Sequence, residues 1–417
     1  MKWVVGSLPY HRHIQNVVLA ILEANCLKEW HTTLVDFESD KDCGVLLTLA
    51  KKIFPALRRN LSRRRIEYVP REKVVQHPGW ELLRVATARL GLGTLTSDWF
   101  WEREEWAMDQ MLKNCIQQDD VDGIFGVEHG CLEAIREANR LRKWSGVAFT
   151  SLHHAFVEKW VTPELEKFPE LATPEYRKLN ALARERDRRR DQEAAEARII
   201  HTNSDLTKQT LIQAGFPADK FIKVPLASRD PPPYTECDLR AKRLRILMCG
   251  AVSVRKGTHL LLRAWKEGGF SRYADLELFG GIYLSQSYLH QFSHLVVIHG
   301  LRPRAEIDEM YKKSHVMIFP TLADGFGGVV MESMAMGCPV LCSANAGAAE
   351  MIRHNENGRI FAPALVEAIK EEILWCLDNR EKLQEMRHAA YLTAKNWTWD
   401  KFRESFREQF FRLIKSG

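Results

Sequence analysis

Long apolar runs are missing from this sequence. No segment approaches the roughly 20 residues that a membrane-crossing helix requires. The opening Met1-Lys2-Trp3-Val4-Val5-Gly6 is too short an apolar stretch for a secretory leader and reads as a first strand. Paired cysteines are missing too. The nine present (26, 43, 115, 131, 237, 249, 338, 342, 376) are scattered, with no CxxC pair and no His-rich segment. Neither a zinc site nor a disulfide framework is expected, and a reducing cytoplasm suits such usage. There is no Walker loop, no GxGxxG dinucleotide turn and no RNA-binding motif. Excess charge is mild: a net +6 favours anionic partners such as phosphates or a lipid surface without calling for nucleic acid.

What is present is ample core material. A chain of 417 residues with 45% hydrophobic and 27% charged residues is an ordinary globular composition, long enough for two domains. Short β-branched runs alternate with amphipathic segments, the pattern of parallel sheets covered by helices. Strands are expected at Trp3–Val5, Thr33–Phe37, Gly123–Val127, Val147–Ser151, Arg198–His201 and Lys220–Pro225. After a proline-rich stretch, Pro231-Pro232-Pro233, which denies the backbone both helix and ladder, they resume at Leu244–Gly250, Leu276–Phe279, Leu295–Ile298, Val316–Phe319 and Val340–Ser343. Beyond Phe361 the sequence reads as helix. The charged run Arg184–Arg190 reads as a solvated helix.

Two constellations carry chemistry. In Cys249-Gly250-Ala251-Val252-Ser253-Val254-Arg255-Lys256-Gly257-Thr258 a strand runs into a glycine-punctuated turn and a helix. Gly250 lets backbone approach a ligand, the helix start offers free amides, and Arg255 and Lys256 supply charge for a diphosphate. The second runs from Pro320 through Asp324-Gly325-Phe326-Gly327-Gly328 to Glu332 and on to Gly337-Cys338-Pro339-Val340. A glycine-rich loop there precedes a helix expected from about Gly328 to Met336, with a carboxylate on either side of the helix start. Ionised carboxylates accept hydrogen bonds from paired hydroxyls, which suits a sugar at one end and a ribose diol at the other.

A carboxylate, seven residues and a glutamate around a GFG loop resembles the signature of the large retaining glycosyltransferase family 4. Lys256-Gly257, Val297-Ile298-His299-Gly300 and the segment Ile199 to Thr207 with Val224-Pro225-Leu226 are similar to the same family. The resemblance is strongest over about 196–362 and weakest over about 38–120. It implies a GT-B fold, two facing Rossmann-like doubly wound α/β domains. Residues 1–227 would be the acceptor domain, 228–242 a linker, 243–397 the donor domain, and 398–417 a helix crossing back. It further implies that Lys256 neutralises the donor diphosphate, that Glu332 holds the ribose and Asp324 the transferred sugar, and that amides of Phe326, Gly327 and Gly328 assist. His153 would lie against the donor sugar, with His154 the competing candidate. Gly6, His11 and His154 are acceptor-side candidates. No metal and no cofactor is expected, the nucleotide-diphosphate-sugar being the substrate, since no Asp-x-Asp accompanies the donor loop.

This sequence departs from the family pattern at Ala251, where many members carry arginine, at Asp324 in place of glutamate, and in an N-terminal turn without paired glycines. The function implied is sugar transfer to a glycan or lipid-linked acceptor in surface polysaccharide or glycoconjugate synthesis. The alternatives are a GT-B nucleotide-sugar epimerase and a non-catalytic degenerate subunit. The segment 51–65 holds seven basic residues and no acidic one, which suits peripheral contact with an anionic membrane on its cytoplasmic face.

Overall fold

The computed structural model of the protein describes residues 1–8, 12–37, 64–237 and 242–416. His11 and residues 51–63 of the basic run therefore lie outside the described residues. The first half contains β1 (Trp3–Ser7), β2 (Leu27–Thr32), a small ladder of β3 (Asp36–Phe37) with β4 (Arg65–Ile66), and β5 (Val74–Gln76), β6 (Gly123–Val127), β7 (Trp144–Phe149), β8 (Ile199–Thr202) and β9 (Phe221–Lys223). Its helices are α1 (Arg12–Glu23), α2 (Gly79–Arg89), α3 (Thr94–Ile116), α4 (Leu132–Arg140), α5 (His154–Lys167), α6 (Pro174–Glu196) and α7 (Asp205–Gln213). The second half contains β10 (Leu244–Cys249), β11 (Ala274–Phe279), β12 (Val297–Gly300), β13 (Val316–Phe319), β14 (Val340–Ser343) and β15 (Gly358–Phe361). Around them lie α8 (Thr258–Glu267), α9 (Gln286–His290), α10 (Arg304–Lys313), α11 (Gly328–Ala335), α12 (Val366–Asp378), α13 (Arg380–Asn396) and α14 (Trp399–Ser416).

Both main sheets are parallel, in the orders β5-β2-β1-β6-β7-β8-β9 and β12-β11-β10-β13-β14-β15. Winding reverses between β1 and β6 and again between β10 and β13. At such a reversal the loops leaving adjacent strand ends diverge and open a crevice. The central strand β13, Val-Met-Ile-Phe, is apolar throughout and every one of its side chains is buried, as expected where helices cover both faces of a parallel sheet.

Three expectations are corrected. Of the strand expected at Thr33–Phe37 only Asp36–Phe37 is extended, in the small β3–β4 ladder; the main-sheet strand is Leu27–Thr32, where Lys28 and Glu29 hide the apolar signal, and Lys28 reaches out of the sheet to Asp120 (2.5 Å) and Gln118 (2.6 Å). β7 begins and ends earlier than Val147–Ser151, so Thr150 and Ser151 form a turn. The run Arg184–Arg190 is solvated on one side only, through Arg184, Glu185 and Arg188. Arg186 pairs with Asp98 and Glu102, Arg189 with Glu102, and Arg190 is buried against Glu128 at 2.7 Å. Among the described residues, no helix is long and apolar enough to cross a membrane.

Two helices join the halves. α5 follows β7, yet Val157, Trp160, Val161 and Leu165 pack into the core of the second sheet, and its Glu164 meets the fully buried His259 of α8 at 3.1 Å. α14 ends the described chain but packs on the first sheet. Phe402, Phe406 and Phe410, four residues apart, project from one face of that helix and are fully buried. Phe410 meets Trp3 edge-on at 4.8 Å, and Phe406 stacks with Phe410 at 5.1 Å. Truncating a buried aromatic leaves both lost burial and a cavity. Phe406→Ala is accordingly expected to lower unfolding stability by about 3–5 kcal/mol, read from denaturant curves. A change under 1 kcal/mol would show that α14 is not anchored as described.

Candidate active site

The chain leaves β13 at Phe319 and passes through the loop 320–327 before α11 begins at Gly328. Three glycines make this path possible. Gly257, with φ +68°, lies so close to the loop that a Cβ there would sit 1.8 Å from the Pro320 carbonyl. Gly325 faces the first half, where a Cβ would sit 1.9 Å from the Thr150 carbonyl. Gly327, φ +84°, turns the chain beneath the Phe319 ring into the helix. Backbone hydrogen bonding locks the arrangement. Arg255 O accepts from Leu322 N (2.9 Å) and the Thr321 hydroxyl (3.1 Å), so the turn after β10 and the loop after β13 form one unit at the reversal point.

Within that unit the Lys256 ammonium meets the Asp324 carboxylate, and Lys256 Nζ lies 5.4 Å from the Phe319 ring centre. Burial pushes the Lys256 pKa down; Asp324 opposes that shift and Arg255 adds to it. The Arg255 side chain itself is exposed. Gly250, φ +128°, lets the first turn run tight against Gly280, whose Cβ would lie 1.8 Å from the Gly250 carbonyl. The Phe326 side chain is buried in the core, leaving its backbone to line the loop, and Gly328 has open space where a side chain would stand, at the start of α11, a place where a helix's first amides lack partners within it. Glu332, in the second turn of α11, is bound at 2.6 Å by Arg304, which also holds Asp308 at 3.0 Å. Arg304 was not singled out in the sequence; its signal is a basic residue opening the helix after the His299-Gly300 strand end.

The first half supplies the facing wall. Ser204 and Thr207 hydroxyls donate to the Gly325 carbonyl at 2.6 and 3.0 Å, and Asn203 Nδ2 donates to Thr150 O at 2.9 Å. His153 caps α5: its Nδ1 accepts from Ala155 N at 3.3 Å. That leaves the proton on Nε2, which donates to Asp191 Oδ1 at 3.1 Å, while His154 Nε2 lies 3.1 Å from Asp191 Oδ2. Burial pushes the His153 pKa down, and His154 adds to this against Asp191, so the imidazole is neutral near pH 7. Beneath it, the buried Glu128 accepts from the amides of Thr150 and Ser151, both at 3.1 Å, and pairs with Arg190. Asp191 and Glu128 were not singled out either, because their partners lie 38 and 62 residues away in sequence.

The structure thus brings Gly250, Lys256, Asp324 and the 326–328 loop together, and sets His153 four residues beyond the β7 end on which Gly325 rests. Glu332 sits beyond the loop with Arg304. Gly6 lies inside β1, where a Cβ would strike Leu112 of α3 at 2.7 Å, so sheet packing alone accounts for that glycine. His154, the remaining acceptor-side candidate, is committed to Asp191. Among the described residues, His153, His154 and Asp191 form a group whose ligand atoms lie within 4.8 Å of one another and could hold a cation.

Residues 237–393 match the model of the glycosyl transferases, group 1. An uncharacterized glycosyltransferase of Methanocaldococcus jannaschii is 32% identical over 118 residues, covering 27% of this chain and 30% of that protein. The O-antigen chain mannosyltransferase B of Escherichia coli is 26% identical over 224 residues, 49% of this chain and 58% of that one. The matches therefore span less than two thirds of these relatives' own length. The Anabaena protein HepE, solved in complex with UDP, superposes with a TM-score of 0.61 at 15% identity, covering 99% of this chain and 100% of that one. The chain has the GT-B fold of two Rossmann-like halves, and its residues 237–393 are similar to the group 1 glycosyl transferases, a family of transferase enzymes.

Proposed function

We propose that the protein is a retaining glycosyltransferase of family 4 that moves a sugar from a nucleotide-diphosphate donor to a glycan or lipid-linked acceptor in surface polysaccharide or glycoconjugate synthesis. Residues 243–397 form its donor side; residues 1–227, with the helix 398–417, form its acceptor side. It works in the cytoplasm, with residues 51–65 against an anionic membrane face. The observation that carries this reading is the union of the Lys256 turn and the Asp324 loop at the winding reversal between β10 and β13. The E. coli relative's name, an O-antigen chain mannosyltransferase, supports the acceptor class. HepE, also solved with UDP-glucose, supports the donor class.

On this reading the donor diphosphate lies against Lys256 and the amides at the start of α11, where cation and helix dipole favour negative charge. The anomeric carbon–oxygen bond breaks toward the diphosphate, whose growing charge these groups stabilise. The acceptor hydroxyl attacks the same face and its proton passes to the leaving phosphate oxygen. Asp324, shared with Lys256, takes hydroxyls of the transferred sugar. Glu332, oriented by Arg304, takes the ribose diol, and the neutral His153 lies against the donor sugar.

Lys256 faces charge that grows during reaction, so Lys256→Ala should lower kcat by about 100-fold or more. Glu332 holds a ribose that does not react, and Glu332→Gln should mainly raise donor KM. Asp324→Asn should fall between. Steady-state kinetics on folded variants decide it: wild-type kcat in Lys256→Ala, or unchanged donor affinity in Glu332→Gln, would put the nucleotide elsewhere.

Turnover is also expected to survive EDTA. Cationic side chains and amides stand at the diphosphate position, and the one carboxylate of the donor loop, Asp324, is already bound to Lys256. Activity lost to chelator and restored by Mg²⁺ or Mn²⁺ would contradict this.

A further inference from the structure

The α2–α3 hairpin is built inside out. Of the nineteen large apolar side chains exposed among the described residues, eight fall within residues 80–106, a density that scattered surface apolar residues do not reach. On α3, Leu95, Trp99 and Trp106 recur at helical spacing and are 42%, 49% and 56% exposed; Leu90 and Leu92, in the connecting turn, are 74% and 55% exposed. Trp80 of α2 meets Trp99 edge-on at 6.4 Å, so both helices contribute to one aromatic surface.

The carboxylates of the hairpin point the other way. Glu81 is buried against Arg64 and Arg84, Asp98 and Glu102 are held by α6 arginines, and Glu104 and Glu105 are buried. Among the described residues of this face the exposed side chains are mainly tryptophan and leucine, and the exposed charged one is Arg103, whose guanidinium lies 4.9 Å from the Trp99 ring centre.

We propose that this hairpin face is a membrane-docking surface, seated at the headgroup level of an anionic bilayer. Tryptophan is the side chain suited to that depth, with an apolar ring system and one N–H that reaches water. Charge selects the lipid over a second copy of the chain. The basic run 51–65 ends at the foot of the hairpin, where Arg64 pairs with Glu81 of α2. A two-fold dimer through this face would bring together two copies of its exposed Arg103, whereas anionic headgroups neutralise such a charge. The proposal extends the membrane contact suggested above for residues 51–65 to a separate apolar surface, and it does not depend on the donor chemistry.

The test is flotation of the full chain with phosphatidylcholine vesicles, with and without phosphatidylglycerol, alongside light scattering of the vesicle-free protein. Wild type should float with the anionic vesicles, with a blue shift in tryptophan emission. The double variant Leu90→Glu/Leu92→Glu lies in an exposed turn and leaves the core intact; it should weaken partitioning by about tenfold or more while UDP binding is unchanged. Arg58→Ser/Arg59→Ser/Arg63→Ser tests the basic run separately, so failure of one contact is distinguishable from failure of the other. Absence of wild-type flotation, equal partitioning of the leucine variant, or a vesicle-free dimer that this variant abolishes would each overturn the docking surface.

Discussion

The Gly325 peptide touches both halves of the molecule at once. Its Cα rests on the Thr150 carbonyl at the end of β7, and its carbonyl accepts the hydroxyls of Ser204 and Thr207 at the start of α7. Gly347 lies against the same carbonyl, where a Cβ would be 2.0 Å away. Only residues without side chains permit this approach, and only an approach this close sets the 320–327 loop opposite His153. Nearby, Asp205 N donates to Glu350 at 2.8 Å and Lys223 pairs with Asp205 at 3.1 Å, adding polar links around the same contact.

Charge inside this contact is arranged in closed pairs. Lys256 with Asp324, Arg304 with Glu332 and Arg190 with Glu128 are each partly or wholly withdrawn from water. Desolvating an ion is costly unless a partner and further hydrogen bonds take the place of water. Glu128 meets that requirement most fully, with Arg190 and two amides, and its carboxyl stays below the usual range although burial alone would raise it. Lys256 and Asp324 neutralise one another, so each carries a defined orientation toward the loop.

The paired loops after β10 and β13 were legible in the sequence because their geometry is local. Gly250 to Gly257 and Pro320 to Glu332 are each a strand, a turn and a helix start written consecutively, and the residues that need φ > 0 are glycines. The α2–α3 region of the first half was not legible for the opposite reason. α3 exposes Trp99 and Trp106 and buries Glu104, Glu105 and Asp109, reversing the pattern by which an amphipathic helix is recognised. Desolvation pushes the Glu104 carboxyl up to about 7, a burial that local sequence does not signal. β2 was hidden in a similar way by Lys28 and Glu29, β5 by being only three residues long, and β15 by Gly358 and Arg359, which interrupt its apolar run.

Sequence alone determined the two parallel, doubly wound halves, the central strands β6, β13 and β14 to the residue, and the positions where glycines let backbone segments approach one another closely. These follow from side-chain periodicity and backbone freedom, which act over a few residues. Tertiary structure alone decided which charges meet. Asp191 holds both His153 and His154, Arg304 holds Glu332, and α5 leaves the first sheet to pack on the second. Each of these contacts joins residues far apart in the chain, and an ion pair or a buried face has no local signature until folding brings its partner within reach.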